Sequence, residues 1–245
     1  MKRSEPLRIA LLASGAGSNL RTLLEHAAAG RLPVKPVLVL SNNPEAGALA
    51  HAKNFGVPAR SLDSRALPRE DFDAVMLEAI REAGAEAVIL AGYMRLLSAF
   101  FIRAFAGRIL NIHPAILPSF PGAHGGRDAL ELRPRLSGCT VHFVEEAVDS
   151  GPIVIQAAVP LVSDDNLDSL MPRIQALEHR IYPQAVLWLA QDRLRLEGRL
   201  VRLLPPLHGG DGARPGSTPS ANAGLGCAGE SPLGPWLVSP ALEDF

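Results

Sequence analysis

The apolar positions of the first 112 residues follow a strand-then-helix order. Residues 9–13 form an unbroken apolar run that stops at a glycine-rich segment, and apolar side chains then recur at helical spacing up to Gly30. Unbroken apolar runs bounded by glycine are typical of strands buried on both faces. The alternation continues with runs at residues 37–40, 87–90 and 109–112 and helical patterns at residues 46–54, 72–83 and 97–105. This order predicts an α/β fold, with a Rossmann-like, mostly parallel open sheet and helices on both faces.

The pattern changes after residue 136. Two extended runs, residues 138–144 and 152–159, are joined by a short polar loop, which predicts an antiparallel addition and therefore a mixed sheet. Apolar residues from Leu167 to Ile181 recur at helical spacing and predict a long amphipathic helix. Two short alternating segments, residues 193–197 and 200–204, predict a closing hairpin that turns at Gly198.

Composition divides the chain at residue 205. Residues 1–204 carry the periodic patterns, whereas most of residues 205–245 are rich in Pro, Gly, Ser and Ala and lack a periodic apolar face. Such segments bury too little apolar surface to offset the entropy lost on folding. We therefore expect one domain over residues 1–204 and a flexible tail over residues 205–245. The last ten residues, WLVSPALEDF, carry apolar side chains that can dock on the domain or on a partner.

Charge and cysteine content narrow the class of protein. The 245 residues carry a formal net charge of -1, and no basic patch of the kind that binds nucleic-acid phosphates stands out. Two cysteines, Cys139 and Cys227, make neither a disulfide framework nor a zinc site, which favours the cytoplasm. The apolar run near the N-terminus is too short to span a membrane. We expect a cytoplasmic monomer or homodimer that binds small molecules and neither nucleic acid nor membrane.

The first predicted strand ends in the loop SGAGSN. Between a strand and a helix, backbone N–H groups and the helix N-terminus form a natural phosphate site. No Gly-Lys-Ser/Thr follows, so the loop is not a nucleoside-triphosphate P-loop. Leu20 stands where a dinucleotide-binding fingerprint has its third glycine, which argues against NAD. The loop predicts a phosphomonoester site or, without a ligand, a tight turn.

The strongest candidate chemistry follows the fourth of the early apolar runs. Asn111 lies within that strand and His113 at its carboxyl end, where ligands bind in open α/β sheets. Asp149 lies in the loop between the two later strands, and its carboxylate can pair with His113 and hold it as an imidazolium. The alternatives are a histidine bonded to backbone, an ordinary turn aspartate, and a metal site. His113, His124 and His142 match no known pattern of metal ligands, so we expect no metal.

Segments spread along the chain resemble the phosphoribosylglycinamide formyltransferases of purine synthesis. They are, in order, SGAGSN, AGYMRLL, NIHPAILPSFPGAH, GCTVHFVEEAVDSGPIV and EHRIYP, and the likeness covers about residues 7–203. NIHP with a downstream D-x-G marks the wider group of folate-dependent formyltransferases, whereas SGAGSN and EH-x-IYP mark the ribonucleotide enzyme. The resemblance implies that the chain transfers the formyl group of 10-formyltetrahydrofolate, its co-substrate, to the amino group of 5'-phosphoribosylglycinamide without a metal.

The resemblance also implies roles for individual residues. Asn111, His113 and Asp149 match the catalytic residues. The residues that match the ribonucleotide site are Gly17, Ser18, Asn19 and Glu178. The residues that match the folate site are Arg65, Met94, Arg95, Leu96, Leu97, Asn111, Glu145, Glu146, Ala147, Val148 and Asp149.

These residue types suit formyl transfer. Attack of an amine on the formyl carbon creates a tetrahedral oxyanion, to which protonated His113 and the Asn111 amide can both donate. Asp149 would keep His113 charged and help to move a proton from the amine to the folate nitrogen, with no covalent enzyme adduct. The sequence departs from the family at Gly125 and Gly126, where a bulkier or basic pair is common, and this predicts a more mobile loop.

Three other functions stay open at this point. A formyltetrahydrofolate hydrolase uses similar residues but is expected to carry an additional N-terminal domain. A tRNA formyltransferase needs a nucleic-acid-binding extension, and the C-terminal segment here is not basic. A non-catalytic phosphate-binding module would not need Asn111, His113 and Asp149 together.

Overall fold

A computed structural model describes residues 4–63, 65, 67–206, 226–228 and 236–243. Its helices are α1 (Ser18–Ala28), α2 (Gly47–Asn54), α3 (Arg69–Glu82), α4 (Ala99–Ala104), α5 (Gly125–Leu132) and α6 (Leu167–Ala190). Its strands are β1 (Leu7–Leu12), β2 (Val34–Ser41), β3 (Ala59–Ser61), β4 (Ala87–Leu90), β5 (Ile109–His113), β6 (Leu136–Phe143), β7 (Ile153–Pro160), β8 (Leu194–Glu197), β9 (Leu200–Leu203), β10 (Gly226–Ala228) and β11 (Trp236–Ser239).

One large sheet organises the described part of the chain. Its strand order is β10-β11-β7-β6-β5-β4-β1-β2-β3. The five strands from β3 to β5 are mutually parallel, and β6, β7, β11 and β10 extend the sheet by antiparallel pairing. The predicted mixed, mostly parallel sheet is confirmed. The predicted closing hairpin is also present, since β8 pairs with β9 in antiparallel register.

Two apolar layers cover the two faces of the sheet, which explains the unbroken apolar runs. On β1, Leu7, Ile9 and Leu11 pack into the layer that contains α1 and α6, whereas Ala10 and Leu12 pack into the layer that contains α3 and α4. A strand covered on both faces has no polar positions to alternate with apolar ones. The helices on both faces are therefore confirmed. No helix in the described ranges is long and apolar enough to cross a membrane.

Helix α6 is the main support beneath the sheet. Its first turn is fixed by a capping box, in which Asn166 accepts from the Ser169 N–H and the Ser169 hydroxyl accepts from the Asn166 N–H. The buried Tyr182 hydroxyl lies 2.7 Å from the carbonyl oxygen of Leu90 on β4 and 3.1 Å from that of Leu110 on β5. These contacts fix α6 against the two strands that carry the candidate site.

Besides the C-terminal strands β10 and β11, two elements were not predicted from the sequence. The segment at Gly125 and Gly126 was expected to be a loop, but helix α5 begins there and both glycines are buried. A Cβ added to Gly126 would lie 2.5 Å from the sulfur of Met171, so the small residues allow α5 to approach α6 closely. Strand β3 was not predicted because its three residues are exposed and show no apolar alternation.

The end of the chain returns to the sheet. Strand β11 pairs with β7, and the side chains of Trp236 and Val238 are buried. The guanidinium of Arg180 on α6 lies 5.2 Å from the centre of the Trp236 ring, and Arg193 forms two hydrogen bonds with the carboxylate of Glu243. The last ten residues therefore include a segment that docks on the domain. Residues 207–225, 229–235 and 244–245, where most of the flexible tail was predicted, lie outside the described residues.

Candidate active site

The loops after β1 and β4 meet at the point where the strand order of the sheet reverses. β1 and β4 are neighbours, but the chain continues from β1 to β2 on one side and from β4 to β5 on the other. Such a switch point opens a crevice at the carboxyl ends of the strands. The Ser14 N–H donates to the carbonyl of Gly92 at 3.0 Å, and the Met94 N–H donates to the Ser14 hydroxyl at 2.8 Å. The SGAGSN loop and the residues after β4 therefore form one wall.

Gly17 allows the SGAGSN loop to turn tightly into α1. Its φ of 79° lies in the left-handed region, and a Cβ at this position would come within 2.7 Å of the Cα of Ala48. Side chains other than glycine are strained in this conformation. No side chain caps the N-terminus of α1, and its first turn has no acidic residue. The N–H groups of the first turn can therefore donate to an anion.

Helix α6 brings Glu178 to the same place. The Asn19 amide donates to the Glu178 carboxylate at 2.7 Å, although the two residues are 159 positions apart. The Gln175 amide donates to the Ser18 hydroxyl at 2.8 Å. Burial raises the pKa of Glu178 to about 7, and the hydrogen bond from Asn19 opposes that shift only in part. The four residues assigned to a ribonucleotide site thus form one cluster, which includes a carboxyl group with a pKa of about 7.

The second cluster forms where β5 and β6 lie side by side. Asn111 and His142 are cross-strand partners, and the Asn111 Nδ2 atom lies 3.2 Å from the His142 Nε2 atom. Asp149 reaches both strands from the loop before β7. Its Oδ2 lies 3.3 Å from His113 Nδ1, and its Oδ1 lies 3.5 Å from His142 Nε2. The structure therefore brings Asn111, His113 and Asp149 together, as the sequence predicted, and adds His142 between them.

The loop around Asp149 is shaped to present the carboxylate. Asp149 itself has a positive φ of 47°, which aspartate tolerates better than most residues. Position 151 in the same loop is a glycine, and a Cβ there would lie only 1.8 Å from the carbonyl oxygen of Phe143. Partial burial raises the pKa of Asp149, but its contacts with His142, the Gly122 N–H and His113 outweigh this effect, so that the pKa is lowered. The carboxylate stays ionised and can balance an imidazolium.

Both ring nitrogens of His113 face oxygen acceptors. Nδ1 faces the Asp149 carboxylate, and Nε2 lies 2.7 Å from the carbonyl oxygen of Phe120. A carbonyl oxygen only accepts, so Nε2 carries a proton, and the doubly protonated ring satisfies both contacts. Phe120 holds a positive φ of 55° in the proline-rich loop. In this conformation the ring is nearly fully buried and donates to its own loop.

A cleft opens between the residues after β4 and the loop before β7. The predicted folate residues on its wall are Arg95, Leu96, Leu97, Asn111, Glu145, Glu146, Ala147, Val148 and Asp149. The prediction did not include Arg69, Leu90, Tyr93, Ile102, His142 or Val144, which also line it. A salt bridge of 2.8 Å between Arg103 on α4 and Glu146 ties the two sides together.

Two predicted folate residues lie apart from this cleft. Arg65 is exposed, and its guanidinium pairs with Asp63 at 2.8 Å. Met94 adjoins the cleft along the chain, but its side chain is 71% exposed. Arg69, at the start of α3, is the arginine from this region that lines the cleft. Arg65 and Arg69 both precede the same helical pattern, and the sequence does not show which of them lines the cleft.

The sequence predicts no role for His142 other than as a possible metal ligand, whereas the structure places it beside Asn111. The signal was present in the alternation of β6, because pairing β5 with β6 places one residue of each strand directly opposite the other. Without a known register, the sequence could not show which residue faces Asn111.

Comparison with known proteins agrees with this geometry. Residues 7–186 match the family described as formyl transferase. The phosphoribosylglycinamide formyltransferase of Escherichia coli is 37% identical over 205 residues, which cover 82% of this chain and 97% of that protein. The trifunctional purine biosynthetic protein adenosine-3 of Drosophila melanogaster is 43% identical over 182 residues. That match covers 73% of this chain but only 14% of the longer protein.

Solved structures give the same result. The glycinamide ribonucleotide transformylase 1 of Symbiobacterium toebii has a TM-score of 0.81 and 46% sequence identity, over 83% of this chain and 96% of the other. A formyltetrahydrofolate deformylase of Pseudomonas syringae has a TM-score of 0.77 at 24% identity, a likeness of fold alone. The profile match and the full-length likeness to the Escherichia coli protein show that this chain belongs to the formyl transferase family.

Proposed function

We propose that this chain transfers the formyl group of 10-formyltetrahydrofolate to the amino group of 5'-phosphoribosylglycinamide, in the de novo synthesis of purines. The observation that carries the proposal is the meeting of Asn111, His113 and Asp149 beside a cleft at the carboxyl ends of the sheet. The same chain spans 97% of an Escherichia coli protein named for this reaction. Both substrates are small molecules, and the reaction takes place in the cytoplasm.

The ribonucleotide binds at the SGAGSN loop in this proposal. Its phosphate accepts hydrogen bonds from the backbone N–H groups of Gly17, Ser18 and Asn19 at the uncapped N-terminus of α1. Glu178 accepts from a hydroxyl or amine of the substrate, and Asn19 holds the carboxylate in place. The raised pKa of Glu178 supports this role, because a carboxyl group with a pKa near 7 can either accept or give up a proton at neutral pH.

The folate binds in the cleft. Leu96, Leu97 and Val148 offer apolar surface to its ring system, while Asn111 and Asp149 offer polar groups near the formyl end. Arg69 and Arg95 line the same cleft and can pair with carboxylates of a folate. The Arg95 guanidinium also lies 4.6 Å from the centre of the Phe72 ring, which fixes its position.

The chemistry follows from these positions. The substrate amine attacks the formyl carbon, a C–N bond forms, and the carbonyl oxygen becomes an oxyanion that accepts hydrogen bonds from Asn111 and protonated His113. The bond from carbon to the folate nitrogen then breaks as the tetrahedral intermediate collapses. Asp149 keeps His113 protonated and helps the amine proton reach the leaving nitrogen. Because His113 donates to Phe120 in the described conformation, the proline-rich loop has to release the ring before it can donate to the oxyanion.

A spectroscopic assay tests the proposal. The purified chain is mixed with a 10-formyl folate analogue, and absorbance is followed with and without the ribonucleotide. We expect deformylation of the analogue only when the ribonucleotide is present. Turnover without the ribonucleotide would instead identify a hydrolase, and an inactive chain in both cases would contradict formyl transfer altogether.

A further inference from the structure

The ring of His142 is the polar group of the second cluster for which formyl transfer has no direct use. It is nearly fully buried and stands between Asn111 and Asp149, at 3.2 Å from the Asn111 Nδ2 atom and 3.5 Å from the Asp149 Oδ1 atom. Its other nitrogen, Nδ1, lies 2.8 Å from the carbonyl oxygen of Phe143. Each polar atom of the ring therefore has a defined neighbour.

These neighbours fix the tautomer of the ring. The Phe143 carbonyl can only accept, so Nδ1 carries a proton. In the neutral ring, Nε2 then has a lone pair and accepts one N–H of the Asn111 amide. With one N–H held in this way, the second N–H and the oxygen of the amide have fixed directions. A freely turning amide could present its oxygen to an oxyanion and repel it.

Charging His142 would undo this arrangement. A second proton on Nε2 would point toward Asp149 Oδ1 and would compete with the Asn111 N–H for the same side of the ring. The Asn111 amide would then have to rotate and offer its oxygen. Asp149 would be shared between two imidazolium rings, whereas its Oδ2 already accepts from the Gly122 N–H at 2.7 Å and faces His113.

We propose that His142 is a positioning residue whose Nε2 atom accepts one N–H of Asn111 and thereby aims the other N–H at the formyl oxygen in the transition state. This inference rests on the proposed formyl transfer. His142 acts through Asn111 and touches neither the transferred group nor the leaving nitrogen.

Two substitutions separate the two nitrogens of the ring. In His142→Asn the short amide keeps a donor near the position of Nδ1, for the Phe143 carbonyl, but has no atom near Nε2. In His142→Gln the longer amide places an acceptor near Nε2 and loses the donor. We expect kcat/KM to fall about tenfold to a hundredfold in His142→Asn, less than the roughly 10²–10³-fold loss for removing an oxyanion donor itself. His142→Gln should recover most of the activity, and the KM for the folate should change little in either variant.

A double-mutant cycle with Asn111→Ala distinguishes positioning from a general structural role. If His142 acts through Asn111, adding His142→Asn to Asn111→Ala causes little further loss, because the group that it orients is already absent. The inference would be overturned if the losses of kcat/KM in the two single variants multiplied in the double variant. Near-normal activity of His142→Asn would also overturn it. If the wild-type chain transfers no formyl group to the ribonucleotide, the proposed function itself is contradicted, which distinguishes that failure from a failure of the inference on His142.

Nitrogen-15 NMR of the wild-type chain tests the same inference even if a variant does not fold. The chemical shifts of the His142 ring should report a neutral ring with the proton on Nδ1 and a lone pair on Nε2. A ring protonated on Nε2 under assay conditions, alone or in addition to Nδ1, would contradict the proposed hydrogen bond from Asn111.

Discussion

His113 and Asp149 belong to different elements of the second cluster, and their side chains meet with 3.3 Å between Nδ1 and Oδ2. The contact joins the carboxyl end of β5 to a loop that lies beyond β6. It places an ionised aspartate beside an imidazole ring, and the nearby histidine helps to lower the pKa of Asp149.

Replacing Asp149 by Asn tests this unit. The variant keeps the size of the side chain, and its amide oxygen can still accept from the Gly122 N–H, so we expect the fold to persist. In the proposed mechanism the Asp149 carboxylate stabilises the imidazolium form of His113, so without the negative charge kcat/KM should fall at least about 10²-fold. Circular dichroism checks the fold, and the absorbance assay with the 10-formyl folate analogue checks the rate. Asp164→Asn, at an exposed position, serves as the matched control. Near-normal turnover of Asp149→Asn would remove Asp149 from the mechanism.

Glu178 should make the stability of the protein depend on pH. Its pKa is raised from an ordinary value of 4.5 to about 7, so the folded state binds a proton that the unfolded state has already released. The free energy of unfolding should therefore fall as pH rises from 4.5 to 7, by up to about 3 kcal/mol. Above pH 7 this contribution should stay constant.

Glu178→Gln removes the ionisable group and isolates its effect. Urea unfolding should show that the variant is more stable than the wild type at pH 8 and nearly equal to it at pH 4.5. A stability difference that does not vary with pH would mean that Glu178 is not the group responsible. The same variant is expected to bind the ribonucleotide less tightly, since the substrate then meets a neutral amide.

Gly17 and Gly15 provide a matched pair in one loop. A Cβ at Gly17 meets Ala48 at 2.7 Å in a left-handed backbone, whereas a Cβ at Gly15 has no atom within 4 Å. We expect Gly17→Ala to lower the free energy of unfolding by at least about 2 kcal/mol, from the combined cost of conformation and overpacking. Gly15→Ala should leave stability almost unchanged. Equal losses for both variants, in thermal or urea unfolding, would show that the strain was misjudged.

Trp236 lies in the last ten residues of the chain, but its side chain should contribute to the stability of the domain on which it packs. Its side chain is buried on β11 and lies against Arg180 of α6. Truncation to Ala removes a large buried ring and should cost about 3–5 kcal/mol of unfolding free energy. Ser239→Ala, at an exposed position of the same strand, is the control. If Trp236→Ala unfolds at the same urea concentration as the wild type, β11 is not part of the cooperative unit.

The sequence predicted the parallel half of the sheet well, because strands buried on both faces leave unbroken apolar runs such as residues 9–13. It missed β3, whose three exposed residues carry no pattern. It also missed α5, because Gly125 and Gly126 suggest a loop when the close contact with Met171 is unknown. Local patterns report burial, whereas these two elements depend on contacts made by distant parts of the chain.

In the candidate site, too, local sequence patterns revealed some residues, whereas others depend on contacts between distant parts of the chain. Asn111 and His113 were found because polar residues at the end of an apolar strand require partners, and Asp149 because its loop resembles a known motif. His142 and Arg69 were not found, because their relevance depends on strand register and on the direction of α3. The roles of the predicted residues stay predictions until the variants described here are measured.

The C-terminal segment changes what the sheet presents to other molecules. Without β11, the eight-residue strand β7 would be the last strand on that side, and a long strand with unpaired backbone groups is a ready template for a second copy of the same chain. Pairing with β11 covers Gln156, Ala157 and Ala158 of this edge, and β10, which is three residues long, becomes the outermost described strand. A strand that short offers few hydrogen bonds to an incoming chain. The added strands should therefore reduce association of the protein through this edge of its sheet at high concentration, independently of anything that they do for catalysis.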